Sequence, residues 1–148
     1  MGMNWKVVKD LRTRAQDEAL HKVEESTEKQ QQTLESLNQI LSFIRDYKDQ
    51  LNQFETEGAP IASIIRTRHF IDKLTASAAA QEQLLVQLSF VTQQDKLQLI
   101  ERRAELKAVE KLELNEIEQH RRYQQSIEAK ELDELARRQF MANSHSPS

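Results

Sequence analysis

Alternating steps of three and four residues from Leu20 reach Leu20, Val23, Thr27, Gln30, Leu34, Leu37, Leu41, Ile44, Lys48 and Leu51. Seven of these ten are aliphatic, which is the a/d seam of a coiled coil. Upstream, Trp5, Val8, Leu11, Ala15 and Ala19 form an apolar stripe in a shifted frame. The polar pair Thr27 and Gln30 falls within residues 24–32, which hold no apolar side chain. That segment is expected to pack poorly and to be a weak or flexible point. The pattern breaks at Glu57-Gly58-Ala59-Pro60, where Gly58 can close one helix in the left-handed conformation and Pro60 fits the first turn of the next. A second seam follows at Ile71, Leu74, Ala78, Leu85 and Leu88, with Gln81 its polar exception. Beyond Thr92 two phases compete, one through Leu97, Ile100, Ala104 and Ala108 and the other through Leu106 and Val109.

These patterns predict an all-α chain of two long helices in an antiparallel coiled-coil hairpin. Helix 1 runs over about 4–57, the turn over 58–60 and helix 2 over about 61–141. Residues 1–142 form the single hairpin, and 143–148 a disordered polar tail. With the fold near Ala59, positions equidistant from it face each other, so Trp5 lies opposite about Glu113. Helix 2 then overhangs helix 1 from about 115 to 140. The overhang carries Ile117, Tyr123, Ile127, Leu132, Leu135 and Phe140. An isolated helix is marginal in water, so such a segment is best explained by a partner it docks into.

Composition narrows the picture. Glycine occurs only at Gly2 and Gly58 and proline only at Pro60 and Pro147, so almost nothing interrupts the two stretches. Charged residues make up 30% of the chain and aromatics 5%, which suits a seam between helices rather than a thick core. The net charge of −3, with both signs interleaved, argues against nucleic acid as a partner. Absence of cysteine removes disulfides and thiolate metal sites. No apolar run approaches the ~20 residues of a membrane span. The start Met-Gly-Met-Asn-Trp-Lys has no apolar signal core, and Lys6 stands where myristoylation needs Ser or Thr. A soluble, cytoplasmic chain is expected.

Helix 1 also carries large apolar residues outside the seam just described. Ile40, Phe43, Tyr47 and Phe54 lie about 100° around the helix from it. The expected register brings Phe43 and Tyr47 beside Phe70 and Leu74. Two readings stand: the rings widen the two-helix core, or they form a docking surface for a partner.

Catalytic chemistry finds no foothold. The histidines are His21, His69, His120 and His145. His120 follows Glu116 by one helical turn, but no second His or Cys completes a metal site. One interior glycine cannot build a phosphate loop, and no Ser/His/Asp set has a pocket to occupy. The reading is of a non-enzyme that uses no cofactor and no metal.

The ordered set of features resembles the FliJ family of flagellar type III export proteins. It comprises small residues at Ala15 and Ala19, then Leu37-x-x-Ile40-x-x-Phe43-x-x-x-Tyr47, the glycine turn, Phe70-Ile71-x-x-Leu74 and Gln81. The run Leu132-Asp133-Glu134-Leu135-Ala136-Arg137-Arg138 is similar to that family's C-terminal Asp-Glu-x-Ala element. The resemblance implies a stalk-like coiled coil inserted in the hexameric flagellar export ATPase, promoting its assembly. It also implies links to the cytoplasmic domain of the membrane export gate and to export chaperones, with the protein cytoplasmic and peripheral to the inner face of the cell membrane. Carried over by position, gate binding falls on Ile40, Phe43, Tyr47, Phe70 and Leu74. Phe43 stands where many relatives have Tyr, and Ser36 where a gate-contacting Gln is familiar. ATPase binding falls on Leu11, Arg12, Asp133, Glu134, Leu135 and Ala136. The alternatives are a generic coiled-coil adaptor or dimerisation protein and the equivalent stalk of a virulence-type secretion system. A prefoldin-like chaperone needs β-hairpin material that the short turn cannot supply, and the narrow apolar stripes do not suit a lipid surface.

Overall fold

A computed structural model describes residues 4–144 and shows two helices, α1 (Trp5–Glu57) and α2 (Ile61–Ser144). Asn4 caps α1: its side-chain oxygen accepts from the Val7 N–H at 3.4 Å. Gly58, with φ 79°, ends the helix. The N–H groups of Gly58 and Ala59 both donate to the Phe54 carbonyl, at 3.1 and 3.0 Å, satisfying a carbonyl the helix would otherwise leave open. Pro60 offers its own carbonyl to the N–H groups of Ser63 and Ile64, which starts α2 without needing the N–H that proline lacks.

By internal contacts the chain divides into two units, Arg14–Arg103 and Met1–Thr13 with Ala104–Ser148. In the first, α1 and α2 form an antiparallel hairpin around the turn. In the second, the start of α1 lies antiparallel on α2, tied by Lys9–Glu113 at 2.8 Å and Arg12–Glu105 at 3.2 Å. Trp5 donates its indole N–H to Glu116, one turn beyond Glu113. The fold class is therefore the expected one, all-α and antiparallel, with the second helix longer than the first.

The seam of α1 differs from the expected one. From Ala19 onward its buried and half-buried positions are Ala19, Leu20, Val23, Ser26, Gln30, Thr33, Leu37, Ile40, Ile44, Tyr47, Leu51 and Phe54. Leu20, Val23, Gln30, Leu37, Ile44 and Leu51 were expected there. Thr27, Leu34, Leu41 and Lys48 are instead exposed, one position away from the seam. Ile40, Tyr47 and Phe54 are thus not a second face; they belong to the seam. Leu11, placed in the upstream stripe, is also exposed, while Trp5, Val8, Ala15 and Ala19 are at least half-buried.

Within residues 24–32 Ser26 is buried and Gln30 half-buried, while Thr27, Gln30 and Gln31 border an open groove of about 400 Å³. Ser26 is 6% exposed, as tightly covered as Leu37 at 7%. The buried hydroxyls are each satisfied by their own helix. Ser26 donates to the Lys22 carbonyl at 2.9 Å, Thr33 to Lys29 at 2.8 Å, and Thr92 across the hairpin to Leu88 at 2.7 Å. Such back-bonding removes the cost of burying a hydroxyl.

The α2 seam runs through Ile71, Leu74, Ala78, Gln81, Leu85 and Leu88 as expected. It continues in the same frame through Thr92, Asp95 and Leu99, and in the other unit through Leu106, Val109, Glu113 and Glu116. Leu97 and Ile100, offered as an alternative phase, are exposed. The core is thin: Leu37, Ile44 and Ala78 form its densest cluster, with Ile40, Leu74 and Leu85 packed against it. Of the tail expected over 143–148, Asn143 and Ser144 complete α2, and 145–148, including His145, lie outside the described residues.

Candidate functional site

Two regions concentrate the expected interaction residues. The first lies near the turn. The Tyr47 and Phe70 rings meet edge to face, with centroids 4.7 Å apart and planes at 71°. They border an open groove of about 340 Å³ that also takes in Phe54, Arg66 and Thr67. Ile40 and Leu74 sit deeper, against the Leu37–Ile44–Ala78 cluster, and so contribute packing. Phe43 and Phe70 remain 44% and 42% exposed. Of the five expected gate residues, Ile40 and Leu74 pack on one core cluster, Tyr47 meets Phe70, and Phe43 and Phe70 present apolar surface.

The second region belongs to the unit that contains both chain ends. Past Glu116, α2 runs beyond its ion pairs and hydrogen bond with Lys9, Arg12 and Trp5 of α1. Among the described residues beyond Glu118 only Ile127 is even half-buried. Tyr123, Leu132, Leu135, Phe140 and Met141 are all exposed. Here Asp133, Glu134, Leu135 and Ala136 form consecutive helical positions open to solvent, and Glu134 pairs with Arg138 at 3.3 Å. Leu11 and Arg12 do not join them. Arg12 pairs with Glu105, and 133 lies 28 positions further along α2, roughly 40 Å away at the rise of an α-helix.

Electrostatics reinforce this end. Glu118 accepts hydrogen bonds from Arg121 Nη2 at 2.6 Å and Nε at 3.0 Å, and from Arg122 Nε at 3.2 Å. Chiefly through the Arg121 bond, its pKa is held down to about 2. The Glu113 carboxylate, by hydrogen bond and charge, pushes the Lys9 ammonium above its ordinary value. The Trp5–Glu116 bond was not foreseen. It ties down the carboxylate that had been paired with His120, and Trp5 with Ile117, His120 and Tyr123 borders an open groove of about 520 Å³. The signal available in the sequence was the register itself, which placed Trp5 within one turn of Glu116.

No helix among the described residues is long and apolar enough to cross a membrane, and none of their His, Asp and Glu side chains gather into a metal-binding group. What the arrangement offers is surface: exposed rings near the turn and an uncovered helix end. No curated protein and no solved structure matches the chain. The family described as Flagellar FliJ protein matches residues 4–145, nearly the whole length. The chain belongs to the FliJ family and is a flagellar, export-related coiled-coil protein.

Proposed function

We infer that the protein is a non-enzymatic, stalk-like component of the flagellar type III export apparatus. It acts in the cytoplasm at the inner face of the cell membrane, binds the hexameric export ATPase, promotes its assembly, and links it to the export gate and export chaperones. The observation that carries the reading is the run of α2 beyond Glu116, which leaves Tyr123, Leu132, Leu135 and Phe140 uncovered. A helix holding apolar side chains in water gains from docking, each large side chain contributing ~1.5–3 kcal/mol when fully buried. Asp133, Glu134, Leu135 and Ala136 would contact the ATPase there, with Leu11 and Arg12 touching it at a separate point. Ile40, Phe43, Tyr47, Phe70 and Leu74 would form the gate-binding surface, with Phe43 and Phe70 as its anchors. Bound at both places, the coiled coil would favour ring closure and bias the gate through differential affinity for its states. Pull-down of the purified hexameric ATPase by the purified chain tests this reading. Retention of the ATPase supports it, and recovery of the chain alone, without the ATPase, contradicts it.

A further inference from the structure

One apolar stripe belongs to neither proposed docking region. On α2, within the unit Arg14–Arg103, Val86, Phe90 and Leu97 are exposed together with Ile100; Val86 is 70% and Phe90 65% exposed. The residues of α2 that meet α1 here are Leu85, Leu88, Thr92, Asp95 and Leu99. The stripe follows steps of three and four on the opposite side of the helix, with Gln93 between Phe90 and Leu97. It continues toward the turn as Gln83, Ala79 and Ala76, all exposed. Solvated helix faces do not keep an uncharged a/d frame over this length. It has the spacing of a second coiled-coil seam, left exposed among the described residues.

We propose that a second copy of this chain covers the stripe, α2 against α2, antiparallel about a two-fold axis at Leu88. In that register the stripe is complementary to itself. Val86 meets Phe90 of the other copy, and Gln83 meets Gln93, so polar faces polar. Ala79 meets Leu97 and Ala76 meets Ile100, so the small half of the stripe receives the large half, as close packing of facing layers requires. A two-fold interface repeats each of these pairs. Parallel pairing would set alanine on alanine and leucine on leucine, leaving a gap at one end and crowding at the other.

The flanking charges agree with the same register. Glu82 comes beside Lys96 of the other copy, and Lys73 beside Glu101, again twice each. These four side chains are exposed on either side of the stripe. Opposite charges at such flanking positions set orientation and register.

Sedimentation equilibrium of the full chain tests the proposal. The expected result is reversible association to twice the monomer mass. Phe90→Glu, at an exposed position, should raise the dissociation constant by roughly 100-fold or more with helicity retained. Glu82→Lys alone should weaken the dimer, and adding Lys96→Glu should restore it. The chain contains no cysteine, so Ser89→Cys, one residue from the axis, should form a disulfide-linked dimer, whereas Asn52→Cys should not. A chain that stays monomeric at its highest soluble concentration overturns the proposal. So does a dimer indifferent to Phe90→Glu, or equal cross-linking of the two cysteine variants.

Discussion

Tyr47 of α1 and Phe70 of α2 meet edge to face at 4.7 Å, joining a seam position to an exposed ring. The contact makes Tyr47 a structural residue first and leaves Phe70 partly exposed. In urea unfolding, Tyr47→Ala and Phe70→Ala should show a coupling of ~0.5–1.5 kcal/mol in a double-mutant cycle. Phe43→Ala, which removes a ring of comparable size from a more open position, should cost less than about 1 kcal/mol. If Phe43 anchors the gate, that variant loses gate binding while keeping its stability, a separation that Tyr47→Ala cannot offer.

The corrected frame of α1 ranks its leucines. Leu37 lies in the densest part of the core, whereas Leu34 and Leu41 are exposed beside it. Leu37→Ala should cost ~2–4 kcal/mol, and Leu34→Ala or Leu41→Ala about 1 kcal/mol or less, read as shifts of the urea midpoint. The opposite ranking would restore the frame through Leu34, Leu41 and Lys48.

Why that frame was misread follows from particular residues. Helices, turn and antiparallel direction were legible because Gly58 and Pro60 are the only interruptions between long runs of helix formers. In α1, however, the seam holds Ser26 and Thr33 while Leu34 and Leu41 lie just outside it, so counting apolar residues favours the wrong neighbour. In α2 beyond Thr92, Asp95, Glu113 and Glu116 occupy seam positions while Leu97 and Ile100 face out. Polarity alone cannot say which of two adjacent frames meets the partner. Geometry could have: reflected about Ala59, the well-read positions Ile71, Leu74, Ala78 and Leu85 fall on Tyr47, Ile44, Ile40 and Thr33. As for the candidate site, the uncovered α2 end followed from helix lengths, but the division between supporting and exposed rings needed the true frame.

Gly58 should be sensitive to substitution although space is free around it. A Cβ there would meet nothing within 4 Å, yet φ is 79°. Gly58→Ala should therefore cost ~1–2 kcal/mol through backbone strain alone. Thermal unfolding measures the loss, and an unchanged midpoint would show that the turn relaxes out of the left-handed conformation.

Glu118 gives a titration signature for the segment beyond α1. Its pKa of about 2 lies below the ordinary carboxylate value of 4.5, so the Arg121 and Arg122 bonds favour the folded helix most fully above that ordinary value. The contribution fades as pH falls from there toward about 2, and salt screens it because the pair is exposed. Carbon-detected NMR titration should find the Glu118 midpoint near 2. Arg121→Gln should move it back toward the ordinary value, and Arg122→Gln should move it less.

The proposed function requires that the uncovered run of α2 engage the export ATPase. Ending the chain after Gln119 removes that run and keeps Trp5–Glu116, Lys9–Glu113 and Arg12–Glu105. The direct measurement is ATP hydrolysis by the hexameric ATPase with the full chain and with the shortened one. The full chain should stimulate hydrolysis and the shortened chain should not, with helicity of the remaining residues unchanged. Undiminished stimulation by the chain ending at Gln119 would contradict the proposed function.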